Sequence, residues 1–131
     1  MVSKNVRAFQ ELTEELKQEV RVAAIDQLQI EGENLRSAIE DVAPRERGVL
    51  AHTVRMIPGS KPTQVRVVAG GRPTTTPQKR PYDYARADEF GTVDMQARPF
   101  FFPTYRLMKK KIIASMKRRI TKNIKARSAT K

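Results

Sequence analysis

The sequence contains no cysteine among its 131 residues. This absence excludes a disulfide, a thiolate nucleophile and any metal site with cysteine ligands, and it agrees with a cytoplasmic product without requiring one. The single histidine, His52, has no second ligand in view, so we expect no metal site. No run of about 18 apolar residues occurs, so we expect no membrane-spanning helix. The N-terminal residues lack the apolar core of a secretory signal, and we expect none.

Motifs for several common activities are also missing. Gly70-Gly71 does not lead into a helix with a Lys-Ser or Lys-Thr pair, so it is not a phosphate-binding loop. Asp88 and Glu89 are adjacent carboxylates, but neighbours in sequence do not by themselves form an acid–base pair. We expect them to lie in a surface turn with an electrostatic partner. With no nucleophile–base pair or metal-ligand set in view, the sequence predicts neither catalysis nor a cofactor.

Acidic residues are missing from one end of the chain. Residues 95–131 contain 12 Lys and Arg and no Asp or Glu, whereas residues 1–41 contain five basic and nine acidic residues. The net charge of +12 therefore equals the charge of the C-terminal segment alone. Such polarity can be neutralised within the fold, between neighbouring copies, or by an acidic partner, and the sequence does not choose among these.

The N-terminal third has the pattern of one long helix. A chain of this length forms one domain with one modest core. Apolar residues recur every three or four positions over residues 4 to about 41, which predicts an amphipathic helix packed on a sheet. Gly32 is a point where this helix could bend or end early, and Pro44 stops it. The residues of the apolar stripe are Phe9, Leu12, Leu16, Val20, Ala24, Leu28, Leu35 and Ile39.

The middle of the chain predicts a small antiparallel sheet. Residues 49–57 alternate loosely between apolar and polar residues, and residues 64–69 are richer in β-branched residues. Pro58-Gly59-Ser60 predicts the turn of a hairpin between them. Residues 94–102 are a candidate third strand, with Pro99 restricting it to an edge. We therefore predict an α+β fold: a long N-terminal helix, an antiparallel sheet of about three to four strands, and a C-terminal helix.

The C-terminal helix is predicted over about residues 104–126, with Pro103 at its first position. Met108, Ile112 and Met116 share one arc at 100° per residue, and the basic residues occupy the other. Residues 127–131 are expected to fray. The predicted basic face consists of Lys110, Lys111, Lys117, Arg118, Lys122 and Lys125.

A Pro/Thr-rich stretch, residues 72–81, precedes the most informative segment. Its three prolines and three threonines favour an extended, solvated loop. Such a loop is either a connector or an arm that becomes ordered against a neighbouring subunit, and both readings stay open. The candidate arm residues are Thr74, Thr75, Thr76, Lys79 and Arg80.

Residues 84–103 combine an acidic–aromatic–glycine turn with an aromatic cluster. The turn is Glu89-Phe90-Gly91-Thr92, and the cluster is the run from Pro99 to Pro103, with three consecutive phenylalanines. A small domain rarely hides that much aromatic area, so we expect part of it to contact another subunit.

These elements resemble the tail-completion (tail-terminator, or head-to-tail joining) family of long-tailed bacteriophages and gene-transfer particles. Members have a tyrosine, a Glu-Phe-Gly-Thr turn, and a Pro-Phe-x-x-Pro element before the last helix. The order of helix, strands, turn and helix agrees over nearly the whole chain, although the stretch before Tyr82 is longer than usual. The matching residues are Tyr84, Glu89 to Thr92, Pro99, Phe100 and Pro103, with a weaker Ala-Pro-x-x-x-Gly-x-Leu element at Ala43, Pro44, Gly48 and Leu50.

The resemblance implies a structural virion protein rather than an enzyme. Residues 1–131 would form one tail-completion-like domain, assembled in the host cytoplasm into a ring, a hexamer, at the head–tail junction. The ring would terminate the tail tube and join it to the neck or head. Its partners would be its own copies, the tail tube protein and the neck (stopper) protein, with transient contact with passing DNA and no membrane contact.

The resemblance also implies roles for particular residues. Gly91 would adopt a positive φ, Phe90 would fill the core, and Glu89 would meet a basic group in its own subunit or the next. The implied subunit or partner interface consists of Tyr84, Glu89, Phe90, Gly91, Thr92, Pro99, Phe100, Phe101 and Phe102.

Two other functions stay open. One is a head-side neck ring (a stopper or adaptor), and the other is a small basic DNA-binding protein that uses the C-terminal helix. No aromatic residue follows Tyr105, so this helix offers no stacking platform for single strands. A basic amphipathic helix can also lie on an anionic membrane, or simply present a solvated face.

Overall fold

The computed structural model describes residues 4–45, 49–76 and 82–129, without the side chains of Tyr82 and of residues 127–129. Two long helices dominate it, which confirms the α+β class with a long helix near each end. The elements in chain order are α1 (Lys4–Val42), α2 (Leu50–Thr53), β1 (Arg55–Pro58), β2 (Val65–Val68), a 3-10 helix (Arg72–Thr74), β3 (Thr75–Thr76), β4 (Tyr82–Asp83), α3 (Tyr84–Phe90) and α4 (Phe102–Ala129).

Helix α1 runs without interruption through Gly32. Its 39 residues give a length of about 58 Å at 1.5 Å per residue. Gly32 is buried, and a Cβ atom at this position would lie 2.6 Å from Met56 Sδ and 3.0 Å from Val65 Cγ1. The glycine therefore marks the place where the β1–β2 hairpin approaches the helix backbone, and the helix does not end there.

The predicted hairpin is confirmed, but its first strand is shorter than predicted. Strands β1 and β2 pair antiparallel, with Arg55 opposite Val68 and Pro58 opposite Val65. The predicted strand residues 50–53 instead form α2. Leu50, Ala51 and Thr53 are all buried, and an alternating strand cannot place two consecutive residues on one face.

The remaining strands do not extend this sheet. Strands β3 and β4 form a separate two-stranded pair, so the four described strands make two pairs rather than one sheet. The predicted strand over residues 94–102 is wrong. Its backbone is bonded locally instead: Thr92 and Met95 exchange hydrogen bonds, and Arg98 N–H donates to the Asp88 carbonyl at 2.6 Å.

The core lies at one end of the two long helices. Helix α1 packs antiparallel to α4, because Leu28 to Leu35 lie beside Tyr105 and Ile112, whereas Gln18 to Asp26 lie beside Arg119 and Asn123. The core is built by the C-terminal part of α1, by α2, by α3 and by Phe100 before α4. Its buried residues are Leu35, Ile39, Ala43, Leu50, Ala51, Val54, Tyr84, Ala85 and Phe100.

The other end is an arm made of two helices. We call residues 4–27 of α1, with the part of α4 that follows residue 115, the two-helix arm. Among its described hydrophobic residues only Ala23 is buried, and Phe9 is 70% exposed. Helix α4 continues to Ala129, so residues 127–129, predicted to fray, are helical. Residues 130 and 131 lie outside the described residues.

Candidate functional site

Helix α3 is fixed at both ends by the residues that flank it. The Asp83 side chain caps its N-terminus by accepting a hydrogen bond from the Ala85 N–H at 3.0 Å. Gly91 ends it with φ +77°, and its N–H donates to the Ala87 carbonyl at 2.7 Å. A Cβ atom at Gly91 would lie 2.9 Å from the Ala97 nitrogen. The predicted positive φ of Gly91 is confirmed.

Glu89 binds backbone amides, and no basic group pairs with its carboxylate within the described residues. One carboxylate oxygen, Oε2, accepts hydrogen bonds from the N–H groups of Phe100 and Phe101 at 2.8 and 2.9 Å. Oε1 accepts one from Phe102 N–H at 3.0 Å. These donors lie at the start of α4, where backbone N–H groups have no partner within the helix. The buried negative charge also interacts favourably with the positive end of the α4 dipole.

Asp88 is engaged separately, so the two adjacent carboxylates do not cooperate. Its Oδ1 accepts a hydrogen bond from Arg98 Nη2 at 3.0 Å. Asp88 and Glu89 are both buried, whereas the sequence predicted a surface turn. Each carboxylate is used to hold the segment after Gly91 against α3. The two carboxylates therefore hold this segment through different partners.

The aromatic residues are distributed differently from the prediction. Phe100 and Tyr84 are buried in the core, so neither is available to a partner on the surface of the folded chain. Phe90, which was expected to fill the core, is 64% exposed, and Phe102 is 44% exposed. The Phe90 and Phe102 ring centroids are 6.1 Å apart, and those of Phe101 and Phe102 are 5.3 Å apart. We call Phe90, Phe101 and Phe102 the aromatic patch.

A groove separates this patch from the hairpin. It has a volume of about 520 Å³ and lies between β2 with Ala69 on one side and α3 with the patch on the other. We call it the edge groove. Of the remaining predicted interface residues, Thr92 and Pro99 are exposed and Gly91 is half-buried. The residues that line the groove on the hairpin side are Val67, Val68 and Ala69.

The first half of the predicted solvated loop is folded. Thr74 is fully buried, and its hydroxyl donates to Asp83 Oδ1 at 2.6 Å. The Thr75 hydroxyl donates to the Gly71 carbonyl at 2.6 Å, and Thr76 belongs to β3. Thr74 therefore supports the N-terminal cap of α3, and Thr75 and Thr76 belong to a strand rather than to a free arm. Lys79 and Arg80 lie outside the described residues.

The predicted basic face of α4 is on the surface. All six of its residues are exposed, while Met108 and Ile112 are half-buried against the core. Arg118 Nη2 donates to Ser115 Oγ at 3.0 Å. Among the described residues, none of the six cations is in an ion pair; the pairs involve Lys17, Arg36 and Arg98 instead. A strip of uncompensated positive charge therefore follows the helix.

Neither a metal site nor a membrane span is found in the described parts of the chain. No cluster of three or more His, Asp or Glu side chains there has the arrangement to hold a metal ion. No helix among residues 4–45, 49–76 and 82–129 is long and apolar enough to cross a bilayer. His52 is exposed in α2 rather than in the predicted strand.

Comparison of the chain with protein-family models, curated proteins and solved structures found no match. The resemblance to tail-completion proteins therefore rests on the sequence elements alone and stays a prediction. Two supporting residues of the site, Asp83 and Arg98, were not predicted. Asp83 carried a usable signal because aspartate directly before a helix is a preferred N-cap. Arg98 carried none, because its partner is ten residues away.

Proposed function

We propose that this protein is a structural subunit that assembles into a ring at the head–tail junction of a phage-like particle and terminates its tail tube. The observation that carries the proposal is the aromatic patch, which stays exposed in the single chain. Phe90 and Phe102 are large apolar side chains at adjacent surface positions. Clustered exposed aromatic residues of this kind are typical of protein–protein interfaces.

The Glu89 cap supports the same proposal. The Glu89 carboxylate accepts three hydrogen bonds and so joins the two sequence elements that carry the family resemblance, the Glu-Phe-Gly-Thr turn and the Pro-Phe-x-x-Pro element. Charge-assisted hydrogen bonds to backbone amides are strong and directional. The cap therefore fixes the position of Phe102 relative to Phe90, and a rigid apolar surface loses little entropy when it binds a partner. No catalytic group is needed for this function.

The test is the mass of the purified protein in solution, at low and high salt, alone and with purified tail tubes. We expect a discrete closed oligomer, or a monomer that forms a ring on tubes. The variant Phe90→Ser/Phe102→Ser should remain folded, because both residues are exposed, and should lose assembly. The matched control is Leu107→Ser, which removes a highly exposed apolar residue outside the patch.

Assembly by the Phe90→Ser/Phe102→Ser variant at the wild-type level would contradict the proposal. Binding to neck-bearing heads but not to tubes would favour the head-side neck ring instead. A monomer that binds neither would remove the ring function altogether.

A second candidate function, binding of duplex DNA, is favoured by the uncompensated basic face of α4. Binding driven by phosphate contacts weakens steeply with salt, because condensed counterions are released. Lys117→Gln/Arg118→Gln/Lys122→Gln should lower the slope of log affinity against log salt by about 3. The control is Lys4→Gln/Arg7→Gln/Lys17→Gln, which removes the same charge from α1. An equal decrease of this slope in both variants would mean that net charge alone drives DNA binding.

A further inference from the structure

Strand β2 has one open edge next to the edge groove. In the described residues the sheet contains only β1 and β2, so the side of β2 away from β1 has no neighbouring strand. Val67 and Val68 both line the groove. Because consecutive side chains of a strand point to opposite faces, a cavity that contacts both lies along the edge of the strand.

The hydrogen-bond pattern identifies which backbone groups face this edge. Gly59 N–H donates to the Gln64 carbonyl at 3.1 Å, which makes these residues a hydrogen-bonded pair beside Pro58 and Val65. Antiparallel pairs alternate between bonded and non-bonded. Val65 and Val67 are therefore in non-bonded pairs and direct their N–H and C=O groups away from β1. Pro58, which has no N–H group, agrees with its non-bonded position opposite Val65.

The opposite wall of the groove supplies apolar contacts. Phe90, Phe101 and Phe102 line it, and two of them are substantially exposed. The four residues of β2 span about 13 Å at 3.3 Å per residue, and the groove contacts the last two of them, Val67 and Val68. Open backbone groups beside apolar pockets are the features by which domains bind extended peptides as an additional strand.

The free charges around the groove are positive. Arg86 lines the groove and is exposed. Arg66 is exposed in β2 and shares a strand face with Val68, which lines the groove. Neither forms an ion pair within the described residues. The carboxylates of Asp83 and Glu89 also line the groove, but they accept hydrogen bonds from Thr74, Ala85 and the α4 amides. An occupant with acidic side chains therefore complements the rim.

We infer that the edge groove binds an extended segment of a different, acidic protein, which adds to β2 as an antiparallel or parallel strand. Alternate apolar side chains of the segment contact the aromatic patch, and its acidic side chains pair with Arg66 and Arg86. A second copy of this chain is disfavoured as the added strand, because nine of its 14 acidic residues lie between residues 11 and 41, which belong to helix α1 rather than to an extended segment. The inference does not depend on ring formation.

The experiment uses the full chain and capped peptides that alternate glutamate with valine, or lysine with valine. Backbone amide and aromatic resonances are followed by NMR during titration. We expect the glutamate peptide to shift the Val65 and Val67 amides and the Phe90 and Phe102 rings saturably. Amide exchange at Val67 should slow in the bound state. The lysine peptide should cause none of these changes at the same concentration.

Charge reversal separates this site from general attraction to a basic protein. Arg66→Glu/Arg86→Glu should weaken binding of the glutamate peptide about fivefold and permit binding of the lysine peptide. Arg7→Glu/Arg21→Glu, which reverses two exposed α1 residues, should leave the preference unchanged.

Three results would overturn the inference. They are the absence of shifts at the solubility limit of the glutamate peptide, shifts confined to the basic face of α4, and loss of the Val65 and Val67 signals through dimer formation without peptide. The last would assign the groove to a second copy. Ring assembly is measured separately by mass, so the failure of one proposal is distinguishable from the failure of the other.

Discussion

The two ends of this molecule obtain their stability in different ways. At the core end, helices and hairpin surround buried side chains, and a carboxylate and several backbone amides satisfy each other in the interior. In the two-helix arm, two helices contact each other and leave most of their surfaces to solvent. Tertiary burial therefore specifies the core end, whereas the arm depends on helix propensity and one shared seam.

The largest expected effect is a truncation inside the core. Ile39→Ala removes a side chain with 0% exposure, and we expect it to lower the free energy of unfolding by about 3 kcal/mol. Phe9→Ala removes a larger but exposed arm residue and should cost no more than about 0.5 kcal/mol. Urea denaturation followed by circular dichroism measures both. Equal losses would contradict the division into core end and arm.

Loss of the Glu89 carboxylate is expected to come next. Glu89→Gln replaces one acceptor oxygen with an NH2 donor that faces backbone donors, and we expect a loss of about 2 kcal/mol. The control is Glu11→Gln, an exposed change in the arm. Faster hydrogen exchange at Phe100 to Phe102 should accompany the loss. Unchanged exchange at these amides would show that another group holds the start of α4.

A smaller effect is expected at Gly91. Its φ of +77° is unfavourable for residues with a Cβ, and Gly91→Ala should cost about 1 to 2 kcal/mol. Gly71→Ala is the informative comparison, because φ is also positive there but the nearest atom is a flexible Arg55 nitrogen at 3.8 Å. A smaller loss of stability for Gly71→Ala would show how much of the loss at Gly91 comes from steric contact with Ala97 and Met95.

The smallest effect is a pH dependence on the exposed side of α1. Hydrogen bonds from Arg36 hold the pKa of Glu33 below its usual value of 4.5. Because the folded-state pKa is lowered, the stabilisation is present above pH 4.5 and is lost as the pH falls through the folded-state value. The melting temperature of Glu33→Gln should therefore fall less than that of the wild type between about pH 5 and about pH 3. The Glu11→Gln variant should behave as wild type.

Local patterns predicted the elements whose signals are periodic and long. Helices α1 and α4 and the β1–β2 hairpin were predicted, because their apolar spacing and the turn at Pro58 act over a few residues. The predicted strand over residues 94–102 was wrong because its composition suits a strand, whereas its backbone N–H groups bind Asp88 and Glu89 of the preceding helix instead of a neighbouring strand. The strand predicted over residues 50–53 was wrong because these residues are buried by contacts with parts of the chain that are distant in sequence, which a local sequence pattern does not show.

The candidate site divides in the same way. The positive φ of Gly91 was expected from the resemblance to tail-completion proteins, and glycine is the residue that adopts such a φ without a steric cost. The sequence did not predict that Phe90 is exposed and Phe100 is buried. Both residues belong to aromatic motifs, and only their positions in the tertiary structure differ. The partners of Glu89 were missed because backbone amides leave no signature in the sequence.

The sequence by itself determined the charge polarity of this protein, its two long helices, its hairpin and its basic face, because each follows from composition or from spacing along the chain. The tertiary structure alone decided which aromatic residues are exposed, what the buried carboxylates bind, and which edge of β2 has no neighbouring strand among the described residues. Those outcomes depend on atoms that are distant in sequence, since a buried donor or acceptor takes whichever partner the fold brings within reach.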